Sequence, residues 1–317
     1  MIAISWCGHV IELASLVLFG WCWLEAGNPA CARPIIPPVW RGTPRRSGGA
    51  AGRSDQHLRD ELVVAVGYGW LLETLDLWLF GTYHYEPVTW WWVGHVPLYI
   101  PLLWATILHS SIALSNRTGL PRWARPFLDG LFAVLIDLAI DAIAIRVGLW
   151  HWNIPLTEGW FGVPAGNLCA WMWVAAWYGG ITRLVRQRIE GRGVGRWQRA
   201  LVPFVAYAGL LVSLWLIGTT GRLLGLDTQR ERLWLFAAHV VGFVGVVAWA
   251  SLPGRSVRAD AHSLSSLLWN RWLMHASFAF LLWASGLWRT APVLLFVSAG
   301  AMALEGWAQR WVRSPCV

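Results

Sequence analysis

Four acidic side chains lie within stretches of this chain that are otherwise strongly apolar: Glu73, Asp76, Asp137 and Asp141. The first two are three residues apart and the last two are four apart, so each pair lies on one face of a helix. Two carboxyl groups that share a low-dielectric site cannot both ionise easily, so we expect at least one to keep its proton at neutral pH. A protonated carboxyl beside an ionised one can serve as an acid and a base.

Aromatic and polar side chains follow both carboxyl pairs along the chain. They are Tyr83, His84, Tyr85, Glu86, Trp150, His151, Trp152, Asn153, Glu158 and Asn167. Segment 148–167 contains Gly and Pro residues that break a helix, and irregular backbone at membrane depth is tolerated only where it is buried in protein or lines a cavity. We therefore predict that this segment forms the lid of a site. For His84 and His151 taken alone, contact with water at an interface is the favoured explanation.

The same carboxyl groups also admit a purely structural interpretation. Asp137 or Asp141 could pair with Arg146 on the same predicted helix. Glu73 or Asp76 could hydrogen-bond a neighbouring helix and fix its register. An ionisable group near the bilayer centre costs roughly 2.5–3.5 kcal/mol on insertion scales, so all four are expected to face the protein interior. A structural pairing readily explains any one of these carboxyl groups, but the presence of all four favours a shared functional site.

Two histidine pairs have a spacing that could suit haem ligation. His95 and His109 are fourteen residues apart, and His262 and His275 are thirteen apart. Prolines interrupt the first of these predicted helices, and His262 lies in a polar loop that contains two arginines. Haem binding is therefore a disfavoured alternative.

Asp129, Asp137 and Asp141 resemble the aspartate-rich motifs with which membrane prenyltransferases hold Mg²⁺ and a diphosphate. Those motifs place carboxylates four residues apart in series, and Ala133 occupies the middle position here. The sequence has no second aspartate-rich helix after residue 227. A Mg²⁺-dependent membrane prenyltransferase is the less favoured alternative.

The elements that must position these residues are membrane-spanning helices. Of the 317 residues, 56% are hydrophobic and 13% are charged, and the mean hydropathy is +0.48. A soluble domain carries about 25% charged residues. Segments of this length and apolarity cross a bilayer as helices, because lipid offers no partner to an open backbone. We predict an all-α polytopic membrane protein, a bundle of about nine transmembrane helices near residues 2–24, 61–82, 93–114, 127–148, 166–184, 200–219, 231–252, 267–288 and 291–308.

Arginines are distributed unevenly between the two sides of this predicted bundle. If the loops alternate, 20 of the 25 lie on one side and five on the other. Because cytoplasmic loops carry the excess of basic residues, we predict a multi-pass protein of the bacterial inner membrane with its N-terminus outside and its C-terminus in the cytoplasm. The net charge of +8 thus indicates topology and gives no support to nucleic acid binding.

Composition divides the chain into four parts. Residues 1–24 are the first predicted span, and residues 25–60, rich in Pro, Gly and Arg, are predicted to be a cytoplasmic linker. Residues 61–185 hold the four carboxyl groups in a helical core, and residues 186–317 supply the C-terminal transmembrane helices. The five cysteines include no C-x-x-C pair, so neither a disulfide framework nor a cysteine zinc site is predicted.

Four motifs occur in the order found in one membrane protein family. They are FGTYHY (80–85) with Glu73 upstream, HVPLYIPLLW (95–104), DLAIDAIAIRVGLWHW (137–152) and WFGVPAGN (160–167). With them, residues 60–185 resemble the integral-membrane carotenoid biosynthesis family, which includes the carotenoid 1,2-hydratases such as bisanhydrobacterioruberin hydratase. Leu79 and Ala142 stand where the family pattern has prolines, whereas the acidic residues, the tyrosines and Asn167 are retained.

The resemblance implies an enzyme, a hydro-lyase that adds water to the terminal isopropylidene double bond of an acyclic carotenoid. Asp137 and Asp141 are then the acid and base, and Glu73 and Asp76 position water. The implied substrate-binding residues are Tyr83, Tyr85, His84, Trp150, Trp152 and Asn167.

No metal or other cofactor is implied, and the sequence contains no G-x-G-x-x-G, Walker A or haem motif. The implied partners are a lipid-soluble polyene substrate, membrane lipid and other carotenoid enzymes. The alternative from a different class is a non-catalytic polyene-binding or complex-assembly membrane protein.

Overall fold

The computed structural model describes residues 5–27, 51–192, 197–252 and 265–313, and these residues form an all-α bundle. The prediction of an all-α fold is confirmed. The elements are α1 (Ser5–Ala26), α2 (Ala51–Leu79), β1 (Tyr83–Tyr85), β2 (Trp92–Val93), β3 (Val96–Pro97), α3 (Tyr99–Asn116), α4 (Arg125–Val147), β4 (Trp150–Trp152), α5 (Ala165–Arg192), α6 (Trp197–Ala200), α7 (Val202–Leu223), α8 (Gln229–Ala250), α9 (Ser265–Ala284), α10 (Leu287–Thr290) and α11 (Val293–Arg313).

Nine of the helices in the described ranges have at least 18 residues, and each overlaps one predicted span. Four of them are long and apolar enough to cross a membrane by length and composition: Trp6–Ala26, Leu58–Leu79, Trp197–Leu223 and Gln229–Ala250. The central helix α4 carries three aspartates, and polar groups of this kind lower the mean hydropathy of a helix. The count of nine spans therefore stays a prediction.

Two boundaries differ from the predicted ones. The predicted linker, residues 25–60, lies partly outside the described residues, but residues 51–60 already belong to α2. The predicted third span begins at residue 93, whereas residues 92–97 form the antiparallel pair β2–β3 and α3 begins at Tyr99. Hydropathy could not separate this hairpin from the helix, because the hairpin is itself apolar.

Helix α4 lies at the centre of the bundle. Sixteen of its 23 residues are buried, and it packs against α3, α5, α8, α9 and α11. Its sequence is apolar around the whole helix circumference, which is typical of a helix enclosed on all sides. Large apolar side chains of the outer helices are exposed instead, among them Trp215, Trp234 and Phe296. Such a surface suits contact with lipid.

Helix α1 also packs against the bundle, on α3, α9 and α2. The carboxylate of Glu12 in α1 is buried and accepts backbone hydrogen bonds from Trp90 (2.9 Å) and Trp91 (2.8 Å). These bonds join α1 to the connection between β1 and β2.

Buried ion pairs join helices away from the β strands. Asp129 in α4 contacts Arg183 in α5 and also accepts a hydrogen bond from Ser115. Arg271 in α9 is fully buried and makes two hydrogen bonds to Glu305 in α11, of 2.5 and 2.8 Å. Because its partner is a cation, Asp129 is not part of an aspartate cluster that could hold Mg²⁺. This contact argues against the prenyltransferase alternative.

We predict that Glu305→Gln destabilises the bundle by about 3–5 kcal/mol, because it leaves the charge of Arg271 buried without a counter-charge. The double variant Arg271→Met/Glu305→Leu should recover most of that loss, since it removes both charges. Thermal unfolding of the detergent-purified protein measures both effects. Glu158→Gln, which changes an exposed carboxylate, is the matched control, and an equal loss of stability in that variant contradicts the prediction.

Candidate functional site

Two helices, α2 and α4, end in the same way. Each is followed within two residues by a glycine with positive φ, Gly81 at +55° and Gly148 at +77°, and a strand begins two residues after that glycine. A side chain with a Cβ atom is strained in this left-handed conformation, whereas glycine adopts it freely. The reversal lets β1 and β4 return beside the helix ends and pair with each other.

Strands β1 and β4 form a short antiparallel ribbon. The paired residues are Tyr83 with Trp152, His84 with His151, and Tyr85 with Trp150. Successive side chains of a strand point to opposite faces, so the four aromatic side chains share one face and the two histidines share the other. We call these the inner face and the outer face of the ribbon.

Glu73 of α2 is held by the inner face. One carboxylate oxygen accepts hydrogen bonds from the hydroxyls of Tyr83 and Tyr85, and the other accepts one from the indole N–H of Trp104 in α3 at 2.7 Å. Burial, followed by the negative charge of Glu73, raises the pKa of both tyrosine hydroxyls well above the usual range. Both phenols therefore remain protonated hydrogen-bond donors at neutral pH.

Asp141 of α4 is held in a parallel way. Its Oδ1 accepts hydrogen bonds from the indole N–H groups of Trp150 (2.6 Å) and Trp152 (3.4 Å). Its Oδ2 accepts one from the Asn167 amide in α5 at 2.6 Å. In both halves of the site a helix carboxylate is thus bonded by two aromatic donors of the strand that follows its own helix, and by one donor of a neighbouring helix.

The second carboxyl group of each pair has fewer partners. Asp137 is 1% exposed, and its Oδ2 lies 3.3 Å from the Asn167 amide. Its Oδ1 has no hydrogen-bond partner among the residues that the structure describes. Within the described part of the chain, the Asp76 carboxylate accepts one hydrogen bond, from the Tyr207 hydroxyl in α7 at 3.1 Å. Asn167 therefore bridges Asp137 and Asp141, which places the two carboxyl groups in one polar cluster.

A cavity of about 80 Å³ joins the two halves. Glu73, Asp76, Asp141 and Asn167 contribute polar groups to its wall, and the inner face of the ribbon closes one end. The rest of the wall is apolar: Leu72, Ile100, Leu103, Ile107, Ile140, Ala170, Val174 and the tryptophans Trp104 and Trp171. An apolar chamber with a few converging polar groups is the usual form of a small-molecule site.

Most residues predicted from the sequence meet at this cavity. Asp137 does not line the cavity, but it accepts a hydrogen bond from Asn167, which does. His84 does not line it, because it projects from the outer face of the ribbon, where its side chain is 62% exposed. Direct substrate contact by His84, expected from the resemblance, is therefore not supported by its position.

The structure also bears on two structural expectations from the sequence, the pairing of Arg146 with an aspartate and the lid. Arg146 pairs with neither aspartate: it donates hydrogen bonds to the carbonyl oxygens of Ala142 (2.8 Å) and Phe161 (2.7 Å). The segment predicted as a lid is fastened to α4 by this bond and by a bond from the Trp160 indole to the Leu138 carbonyl at 2.8 Å. Trp150, Trp152 and Asn167 of the predicted segment 148–167 line the cavity, whereas residues 153–164 do not, so the lid role stays a prediction.

Sequence reasoning assigned no role to two residues that donate hydrogen bonds to carboxyl groups of the site, Trp104 and Tyr207. Trp104 ends the motif HVPLYIPLLW, so its place in that motif was the available signal. Its ring packs against Trp171 with centroids 4.2 Å apart. Tyr207 comes from α7, outside the segment that carries the motifs, and the sequence offers no signal for its contact with Asp76.

Three of the four histidines considered for haem lie within the described residues, and one of these, His109, is partly buried in α3. His95 is exposed in the β2–β3 hairpin, His275 is buried 3.8 Å from Glu305, and His262 lies outside the described residues. The haem alternative has no support in this arrangement.

Fold and site together define a polytopic α-helical membrane protein with an acidic, aromatic-lined cavity inside the bundle. A family model described as "Carotenoid biosynthesis protein" matches residues 53–226, which is more than half of the 317 residues. The chain therefore belongs to the carotenoid biosynthesis protein family, and its role lies in carotenoid biosynthesis. The match extends beyond the motifs to α7, which supplies Tyr207. No curated protein and no solved structure matches the chain significantly.

We predict that Tyr83→Phe and Tyr85→Phe each lower the free energy of unfolding by about 1–3 kcal/mol, because each removes a donor from the buried Glu73 carboxylate. Tyr99→Phe is the matched control. Tyr99 is also a buried tyrosine, but its hydroxyl has no hydrogen-bond partner among the described residues, so its removal should be neutral or stabilising. Thermal unfolding of the three purified variants makes the comparison, and equal losses in all three contradict it.

Proposed function

We propose that the protein hydrates the terminal isopropylidene double bond of an acyclic carotenoid. The observation that carries the proposal is that Glu73, Asp76 and Asp141 line one largely apolar cavity with an aromatic wall, and that Asn167 links Asp137 to it. The family gives the general role, and the chemistry of these side chains is compatible with hydration. Water addition to an unactivated alkene needs an acid, a stabilised cation and a base, and the cavity contains side chains for each.

The first step is protonation of the alkene. Asp137 and Asp141 share Asn167 and hold a proton between them, and Asp141 is the member that faces the cavity. The O–H bond of the acid breaks as a C–H bond forms at the less substituted alkene carbon, which leaves a tertiary carbocation. The N–H donors of Trp150, Trp152 and Asn167 stabilise the carboxylate that remains.

The second requirement is stabilisation of the cation. Aromatic faces attract a cation, and one such contact contributes about 2 kcal/mol or more in a dry site. Trp150, Trp152, Tyr83 and Tyr85 line the same end of the cavity as Asp141. The Glu73 carboxylate adds an opposite charge nearby, and its three donors fix its position.

The third step is attack by water. A water oxygen forms a bond to the tertiary carbon and releases one proton, which returns to the Asp137–Asp141 pair and regenerates the acid. Glu73 and Asp76 also line the cavity, and in this scheme they hydrogen-bond the attacking water. Tyr207 orients Asp76 for that purpose through its 3.1 Å hydrogen bond. The net change is the addition of one water molecule to the double bond.

The long polyene also has to be accommodated. Beyond the polar end, the cavity wall consists of Leu, Ile, Val and Trp side chains, which suit a hydrocarbon chain. A carotenoid dissolves in the bilayer, so we propose that its end group enters the cavity laterally between helices while the rest of the chain stays in lipid.

We predict that Asp141→Asn and Asp137→Asn each lower the rate of hydration by at least about 10²-fold, the lower end of what a positioned acid–base group contributes. The variants are expressed in a host that makes lycopene, and hydroxylated pigments are measured by chromatography and normalised to the amount of membrane-inserted protein. Asp227→Asn, which changes an exposed carboxylate away from the cavity, should retain activity. Full activity in both Asp141→Asn and Asp137→Asn contradicts the acid and base roles assigned to these residues.

Isotope labelling tests the reaction itself. Membranes that contain the protein and an acyclic carotenoid are incubated in water enriched in heavy oxygen, and the product hydroxyl should carry the label. Label derived from molecular oxygen contradicts hydration. Stoichiometric binding of unmodified pigment without product formation supports the alternative of a non-catalytic polyene-binding protein.

A further inference from the structure

The outer face of the ribbon carries a second cluster of polar side chains, which the proposed reaction does not use. His84 of β1 and His151 of β4 stack with ring centroids 5.4 Å apart, and Glu86 follows β1 directly. Glu86 continues the ribbon, since its N–H donates to the carbonyl oxygen of Leu149 at 3.1 Å. Two imidazoles and one carboxylate thus converge from two strands that are more than 60 residues apart in the chain.

The distances in this cluster suit a shared cation. Glu86 Oε1 lies 3.0 Å from His151 Nδ1 and 3.5 Å from His84 Nε2, and one potential ligand atom from each residue lies within 4.8 Å of the others. Two ligands at Zn–N and Zn–O distances of about 2.0–2.2 Å on a tetrahedral ion are about 3.3 Å apart. The distances of 3.0 and 3.5 Å from Glu86 to the two imidazoles bracket this value.

One ring nitrogen of the cluster has no hydrogen-bond partner. His151 Nδ1 is shielded from solvent and makes no hydrogen bond of acceptable geometry to any described residue, although Glu86 Oε1 is 3.0 Å away. A buried polar atom without a partner is costly and therefore points to a missing ligand. His84 is 62% exposed, so an ion from the aqueous phase can reach the site.

We propose that His84, Glu86 and His151 bind one divalent transition-metal ion of the Zn²⁺ class. Two imidazole nitrogens and one carboxylate oxygen are a known zinc ligand set, with the fourth position left to water. Hard cations such as Mg²⁺ and Ca²⁺ prefer oxygen ligands and are disfavoured here.

The position of the site gives the ion a structural role. It lies opposite the aromatic side chains that bond Glu73 and Asp141, and it joins β1 to β4 across the ribbon. Binding therefore fixes the two strands together and positions the donors of the inner face. The ion takes no part in the proton transfers, so this inference is independent of whether the cavity hydrates a carotenoid.

The test uses the full-length protein in detergent, stripped of metal with a chelator and titrated with Co²⁺. Wild-type protein should bind one equivalent with the absorption bands of tetrahedral Co²⁺, and Zn²⁺ should displace it, whereas millimolar Mg²⁺ should not. His151→Ala, His84→Ala and Glu86→Gln should each weaken Co²⁺ binding by at least about 100-fold, the upper end of the loss caused by removing an outer partner of a metal ligand.

His95→Ala is the matched control, because His95 is an exposed histidine of the neighbouring hairpin and lies outside the cluster. It should bind Co²⁺ like the wild type. Zn²⁺ should also raise the apparent Tm of the wild type and of His95→Ala, but not that of His151→Ala. Equal Co²⁺ affinity in wild type and His151→Ala, or no stoichiometric binding by the wild type, overturns the proposal. Because no carotenoid is present, failure here is distinct from failure of the hydration experiment.

Discussion

The arrangement of this site follows from the cost of placing carboxyl groups inside an apolar bundle. Without hydrogen-bond partners such groups are strongly destabilising, because neither lipid nor apolar side chains can replace water. Glu73 and Asp141 each obtain three donors, and four of the six donors come from the ribbon of β1 and β4. The reversals at Gly81 and Gly148 allow each strand to return to its own helix. The ribbon is therefore required by the carboxyl groups and also forms the end of the cavity.

Much of the fold and part of the site could be predicted from the sequence. Long apolar segments predicted the helices, because backbone groups in lipid must be bonded within their own segment. Glu73, Asp76 and Asp141 could be assigned to a common site because an ionisable group in such a segment is expected to face the protein interior. The cavity lined by all three agrees with that expectation. The number of membrane spans and the orientation of the termini stay predictions, since helix lengths alone do not determine which segments cross the bilayer.

Other features depend on contacts that spacing along the chain does not encode. The bond from Tyr207 to Asp76 joins residues 131 positions apart, and no local pattern predicts it. His84 was grouped with Tyr83 and Tyr85 because all three belong to one motif. The period-2 alternation of a strand separates them, but a strand of three residues beside a helix is too short to be recognised from hydropathy. Asp129 was grouped with the other aspartates for a similar reason, whereas α4 places it beside Arg183.

The identity of the donors also constrains how a proton could move through the cavity. An indole N–H donates but cannot accept, so Trp104, Trp150 and Trp152 can stabilise a charge on Glu73 or Asp141 without competing for a proton. Among the described residues, the side chains that hydrogen-bond the Asp137–Asp141 pair are Asn167, Trp150 and Trp152, and each of them acts as the donor. Under the proposed reaction, a pair surrounded in this way releases its proton mainly to a bound molecule. The same donors that make the buried charge tolerable would thus direct the acid toward the alkene.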